Sequence, residues 1–262
     1  MFGLTMRRLV AVVCANLLFS NAFAQAQTVP AIAAAADLQY ALTEVAERFQ
    51  KETGQELKLT FGSSGNFATQ LEQGAPFQLF FSADESLVQK LAGKGLTKDA
   101  GALYAIGRIV IFTPHESPLK PDARLADLKA GVADGRVKRF AIANPEHAPY
   151  GQRSKEALQR TGIWDAIQPR LVLGENISQA AQFATAGGSQ GGILALSLVT
   201  APGLAKRGTY ALIPDSLHEP LIQRMVLMRN ATAPAETFYR YVQSPPPREI
   251  LRKYGFLLPG EQ

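Results

Sequence analysis

Thr60-Phe-Gly-Ser-Ser-Gly-Asn-Phe67 decides how this chain is read. Upstream, Glu56 to Phe61 alternates with Leu57, Leu59 and Phe61 on one face, the pattern of a strand. Downstream, Asn66 to Gln73 has helical spacing and is stopped by Gly74 and Pro76. The stretch is therefore a strand that ends in a small, hydroxyl-bearing turn and opens a helix. The first turn of a helix leaves backbone N–H groups without intrahelical partners, at the positive end of the helix dipole. Gly-Ser-Ser-Gly adds two short hydroxyls and no bulk, which is local chemistry for holding an anion.

Working outward, the same strand–turn–helix unit recurs. Val29 to Ala36 is an apolar strand. Asp37 to Thr53 carries Leu38, Ala41, Leu42, Val45, Ala46 and Phe49 at helical spacing and is closed by Gly54. Phe77 to Ser82 is a strand, and Glu85 to Ala92 a helix. A second series follows, with strands at Arg108 to Thr113, Arg139 to Ala143, Gly192 to Leu196, Tyr210 to Ile213 and Leu221 to Met228. Its helices are Arg124 to Ala130, one after Gly151, and Ile177 to Ala186. Two last helices, Ala235 to Val242 and Arg248 to Tyr254, flank a break at Pro245-Pro246-Pro247. This alternation predicts an α/β protein with mostly parallel sheets flanked by helices. Two such sets predict two lobes. The first is discontinuous (25–112 plus 218–262), the second is 113–217, and a ligand cleft lies between them at the carboxyl ends of the strands.

Bulk chemistry narrows the function. Arg7 and Arg8, the apolar run Leu9 to Phe19 and Ala22-Phe23-Ala24 read as a cleavable export signal over 1–24, so the mature chain is expected outside the cytoplasm. The single cysteine, Cys14, lies in that segment, which leaves no disulfide, thiolate metal site or cysteine nucleophile beyond it. Net charge is +5, or +3 without Arg7 and Arg8, and the basic residues form no stripe. Nucleic acid and membrane surfaces are poor partners for such a chain. His115, His147 and His218 have no metal-ligand spacing.

Four loop-to-helix junctions share the predicted cleft edge: Ala35-Ala-Asp-Leu38, Gly62-Ser-Ser-Gly65, Asn144-Pro-Glu-His-Ala-Pro-Tyr-Gly151 and Glu175-Asn-Ile-Ser178. Each alone is explained by helix capping. Together their N–H groups would converge on one point. Six or seven charge-assisted bonds of roughly 1.5–3 kcal/mol each exceed the roughly 8 kcal/mol of micromolar binding. The competing class is an exported serine hydrolase, since Gly187-Gly-Ser-Gln-Gly191 fits G-x-S-x-G and Asp215 and His218 follow in order. Ser189, however, follows a helix and precedes a strand, the reverse of a nucleophile elbow. No catalytic set and no cofactor are expected.

Ala34-Ala-Ala-Asp-Leu38, Phe61-Gly-Ser-Ser-Gly65, Gly74-Ala-Pro-Phe77, Phe81-Ser-Ala-Asp-Glu85, Ala143-Asn-Pro-Glu-His147 and Tyr254-Gly-Phe256 together resemble the periplasmic molybdate-binding proteins of ABC importers. The resemblance runs in order along the whole mature chain. It implies the two-lobed periplasmic binding-protein fold, hinge closure on a molybdate or tungstate oxyanion, and delivery by a monomer to a membrane permease. Carried over, Ser64 gives its hydroxyl and N–H to the ligand, and Tyr150 and Ile177 give backbone N–H groups. Ala195 replaces a ligand-facing tyrosine of some relatives, and the Tyr150 hydroxyl is a candidate replacement. Asp37 stands where many relatives have serine. An ionised carboxylate cannot donate and repels a dianion. Three roles are open to Asp37. It caps the helix and offers only its N–H, it is protonated in the complex, or it accepts from a protonated oxyanion such as phosphate or phosphonate. Capping is the expected one.

Overall fold

The computed structural model describes residues 29–260; the expected export signal lies outside the described residues. In chain order the strands are β1 (Ala31–Ala35), β2 (Lys58–Gly62), β3 (Leu79–Ser82), β4 (Ala102–Gly107), β5 (Ile109–Pro114), β6 (Phe140–Ala143), β7 (Leu171–Gly174), β8 (Gly192–Ala195), β9 (Gly208–Leu212) and β10 (Leu221–Leu227). They build two five-stranded sheets, ordered β2-β1-β3-β10-β4 and β7-β6-β8-β5-β9. Each sheet has a parallel trio, β2-β1-β3 or β7-β6-β8, extended by two antiparallel strands. The protein has the two-lobed periplasmic binding-protein fold, one sheet per lobe.

The helices are α1 (Gln39–Thr53), α2 (Ser64–Glu72), α3 (Glu85–Gly93), α4 (Ala126–Ala133), α5 (Pro149–Arg160), α6 (Trp164–Ile167), α7 (Ile177–Thr185), α8 (Leu196–Val199), α9 (Pro202–Ala205), α10 (Ala233–Val242) and α11 (Pro245–Lys253). The apolar stripe of α1, with Leu42, Val45 and Phe49 buried, explains its docking on the first sheet. There Phe49 meets Phe238 of α10 edge-on at 5.1 Å, and Phe238 lies 6.2 Å from Phe81 of β3. The C-terminal helices thus return to the first sheet. The alanines of β1 let these layers approach closely, and all but its first residue are buried.

Three expectations need correction. The first crossing between lobes was placed at 112/113, yet β5 is fully in the second sheet, and the chain passes over at Arg108. The apolar run of β5 gave no sign of which sheet it joins, because β4 and β5 follow each other with one residue between them. β4 and β7 were not expected. Leu103 and Leu173 on them are exposed, so neither strand shows a clean inward–outward alternation. The three prolines at 245–247 do not break the chain but form the first turn of α11 behind the N-cap Ser244, where missing N–H groups cost nothing.

β4 pairs with β10 and β5 with β9, so both connections between the sheets run side by side. The apolar core of the second lobe also continues into Ala35, Ala36 and Ala83 of the first. The lobes are packed together, with the carboxyl ends of both parallel trios meeting at the interface.

Candidate functional site

Between those strand ends is a small cavity of about 10 Å³. It is walled by Ala35, Ala36 and Asp37 after β1, by Gly62, Ser63 and Ser64 after β2, and by Ala83 after β3. The second lobe contributes Ala148, Pro149 and Tyr150 after β6, and Asn176 and Ile177 after β7. All four site residues named from the sequence, Asp37, Ser64, Tyr150 and Ile177, line this one cavity and are at most 3 % exposed. No lysine, arginine or histidine is in the wall.

The helix starts around the cavity keep donors in reserve. Ser63 is the N-cap of α2 but makes no capping bond. Its hydroxyl donates instead to the His147 carbonyl of the other lobe at 2.5 Å, and lies 3.1 Å from His147 Nδ1. Ala148, before α5, and Ala35, before the 3-10 turn Ala36–Leu38, have no capping side chain to offer. Asn176 caps α7, accepting from the N–H of Gln179 at 3.0 Å, which leaves the N–H of Ile177 to the cavity side. Pro149 occupies the first position of α5, so Tyr150 supplies the first N–H of that helix. Ser64 Oγ accepts from the Ala83 N–H at 3.0 Å, which fixes the side chain and leaves its own proton to donate elsewhere. Capping alone therefore does not explain these junctions.

The lobes touch closely here. The Gly65 N–H donates to the His147 carbonyl at 3.0 Å, and a Cβ on Gly65 would overlap that carbonyl. Ser178 Oγ donates to the Ala36 carbonyl at 2.9 Å and Ser197 Oγ to the Asp37 carbonyl at 2.8 Å, both across the interface.

The Asp37 carboxyl meets the backbone N–H groups of Asp37 and Leu38 at the helix start and also bonds across the lobes. Oδ2 accepts from the Tyr150 hydroxyl at 2.9 Å and from Gln223 Nε2 at 2.7 Å, and Gln223 Nε2 is also 3.2 Å from the Tyr150 hydroxyl oxygen. Oδ1 is buried with no partner among the described residues. Burial pushes this carboxyl up from 3.8 to about 6, against the lowering effect of the Gln223 and Tyr150 bonds and of the Asp37 and Leu38 backbone N–H groups. Burial and the nearby carboxylate push the Tyr150 and Tyr104 hydroxyls well above their ordinary value. The Tyr150 hydroxyl is thus committed to Asp37 rather than replacing the donor that Ala195 lacks.

Gln223 and Ser197 escaped the sequence reading. For Gln223 a signal existed: in β10, Leu221, Gln223 and Met225 share the inward face, and an amide there, with no exposure, must have a buried partner. Ser197 follows an apolar strand in a run with no such mark. The serine-hydrolase candidates do not assemble. His218 Nδ1 is bonded to the Glu219 carbonyl at 2.7 Å and its Nε2 is 3.8 Å from Asp215. Ser189 lies in a separate groove with His115, Lys206 and Arg207.

Two α/β lobes joined by paired strands, with helix starts from both lobes converging on one buried cavity, define a solute-binding protein of the periplasmic type. The profile of the family described as bacterial extracellular solute-binding protein matches residues 30–257, and the chain belongs to that family. A protein named molybdate-binding protein ModA from Rhodobacter capsulatus is 33 % identical over 228 residues, 86 % of each chain. Its namesake from Azotobacter vinelandii is 32 % identical over 255 residues, covering 96 % of this chain and 98 % of that one. The solved structure of the Azotobacter vinelandii periplasmic molybdate-binding protein superposes with a TM-score of 0.78 at 28 % identity, over 88 % of this chain and 99 % of that one.

Proposed function

We propose that this protein captures molybdate, and tungstate with it, in the cavity between the lobes and delivers it to an ABC import permease. The observation that carries the proposal is the convergence of four helix starts, three of them without a side-chain cap, on one cavity walled by no lysine, arginine or histidine. In it Ser64 gives its hydroxyl and N–H, and Asp37, Tyr150 and Ile177 give backbone N–H groups. A dianion held by fixed dipoles needs no lysine or arginine, because each N–H or O–H bond to a charged oxygen is worth roughly 1.5–3 kcal/mol. The names of the relatives at about a third identity support molybdate over other tetrahedral anions. Sulfate has the same charge and shape, so discrimination against it comes from cavity size.

The division into lobes follows the sheets: residues 29–107 with 221–260, and 109–212, closing about Arg108 and the 213–220 connector. The protein works in the periplasm as a monomer and is a receptor rather than an enzyme. Calorimetric titration with molybdate, tungstate, sulfate and phosphate tests the proposal. Saturable heat from the first two and little from sulfate is the expected result. No heat from molybdate ends it, and ester hydrolysis lost in Ser189→Ala would restore the hydrolase.

A further inference from the structure

The geometry points to proton-coupled capture: the protein binds its oxyanion with Asp37 protonated on Oδ1, and that proton is the hydrogen bond Asp37 donates to the ligand. The inference rests on the oxyanion reading above and adds a named donor and a pH dependence to it.

The two oxygens of Asp37 are not equivalent. Oδ2 already accepts from two donors, the Tyr150 hydroxyl and Gln223 Nε2, and those donors are held relative to one another by their own contact. A proton on the carboxyl therefore belongs on Oδ1, the buried oxygen with no partner, in a residue that lines the cavity. Ionised, Oδ1 is an unpaired acceptor beside a bound anion, which is doubly unfavourable. Protonated, the same atom becomes a donor of the kind that a serine supplies.

The partners of the Asp37 carboxyl are neutral: the Gln223 amide, the Tyr150 hydroxyl and the backbone N–H groups of Asp37 and Leu38. Tyr150 comes from α5, Gln223 from β10 and Tyr104 from β4, and the hydroxyls of Ser178 and Ser197 come from α7 and α8. The following helix α1 brings Tyr40, and β2 carries Lys58 at its opposite end. The arginines carried by α5, β10 and the crossing between the lobes are committed elsewhere. Arg153 pairs with Glu156 and Asp84, Arg224 with Glu85 at 3.0 Å, and Arg108 with the Gly255 carbonyl at 2.7 Å. His147, also at the interface, faces Ser63 and Glu175. Burial without a counter-charge already lifts the Asp37 carboxyl to about 6, and an anion against Oδ1 raises it further. Above roughly pH 6 the free protein holds Asp37 ionised and the complex holds it protonated, so binding takes up one proton.

Calorimetry with molybdate in pairs of buffers of different ionisation enthalpy reads this directly. Proton uptake should be near zero at about pH 5 and approach one per molybdate by about pH 8, with Kd rising about tenfold per pH unit in the upper range. Asp37→Asn, which keeps an acceptor for Tyr150 and Gln223 and places a permanent donor on the other atom, should show neither uptake nor pH slope. His147→Asn should keep both. Molybdate binding by the wild-type protein without proton uptake overturns the inference and leaves the molybdate reading intact. So does an Asp37→Asn variant with the wild-type slope. Loss of phosphate binding in that variant, with no molybdate heat in either protein, overturns the molybdate reading and this inference together, in favour of an accepting carboxylate. The wild-type measurement stands alone if the variant does not fold.

Discussion

Ser64 and Asp37 line the same cavity with opposite chemistry. Ser64 has its lone pair taken by the Ala83 N–H and its proton free, so Ser64→Ala removes one donor to the ligand and one acceptor from the loop after β3. A charge-assisted bond of roughly 1.5–3 kcal/mol corresponds to about a ten- to hundredfold weaker molybdate Kd, measured by calorimetry. An unchanged Kd would remove Ser64 from the site. Asp37 acts on stability as well. Its folded value of about 6 lies above the unfolded 3.8. The stability it contributes is therefore fully present below 3.8 and lost as pH rises through about 6. The loss is on the order of 2–3 kcal/mol. Asp37→Asn should then raise the Tm of the ligand-free protein at pH 7 to 8 by roughly 5–10 °C and leave it nearly unchanged near pH 4. A lower Tm at neutral pH would mean that the carboxylate is needed ionised. Both residues were legible in the sequence because each sits directly after a strand, at a helix start. The direction of the Asp37 side chain was not, since its partner Gln223 is 186 residues away.

At the scale of elements, the site is made by helix starts, and one of them depends on the absence of a side chain. Gly65 is the second residue of α2, and its N–H and Cα lie against the His147 carbonyl of the other lobe. Gly65→Ala suits the helix better by about 1 kcal/mol, but its Cβ would fall on the His147 backbone carbonyl, so the contact between the two loops must open. The added methyl keeps the two loops apart, and molybdate affinity should fall at least tenfold. Unchanged affinity would contradict the close approach seen between these loops. Helix starts were readable because Ser, Asn and Pro mark them chemically, as at Ser63, Asn176 and Pro149. β4 and β7 were not, because their residues answer to neighbouring strands rather than to a local pattern. The prolines of α11 misled for a related reason: proline forbids a helix interior but favours a first turn, and only the packing of Ile250 and Leu251 shows which applies.

Over the whole molecule, the contacts across the interface form a set that exists only when the lobes meet: Ser63 to His147, Ser178 to Ala36, Ser197 to Asp37 and Tyr150 to Asp37. Two lobes and a cleft followed from the repeated strand–helix pattern, whereas the crossing point did not, because β4 was not read as a strand and β5 follows it after a single residue. A bond made only in the closed form adds to ligand affinity through the closing equilibrium and adds nothing to either lobe by itself. Tyr150→Phe removes one such bond while keeping the backbone N–H that faces the cavity. Asp37 retains Gln223, so its Oδ2 is not stranded. With a net worth of about 1–2 kcal/mol, the loss should weaken molybdate binding roughly 5- to 30-fold. Small-angle scattering should show the ligand-free radius of gyration unchanged and the contraction on adding molybdate shifted to higher ligand concentration. Ligand stabilisation follows the same equilibrium: at 100 times Kd it amounts to about 2.7 kcal/mol, or a Tm rise of roughly 5–10 °C for a chain of this size. At one fixed molybdate concentration the variant should therefore show a smaller rise than the wild type, from the same starting Tm. An equal fall in the ligand-free Tm with Kd unchanged would instead assign the Tyr150 hydroxyl to the fold and leave closure to the serines.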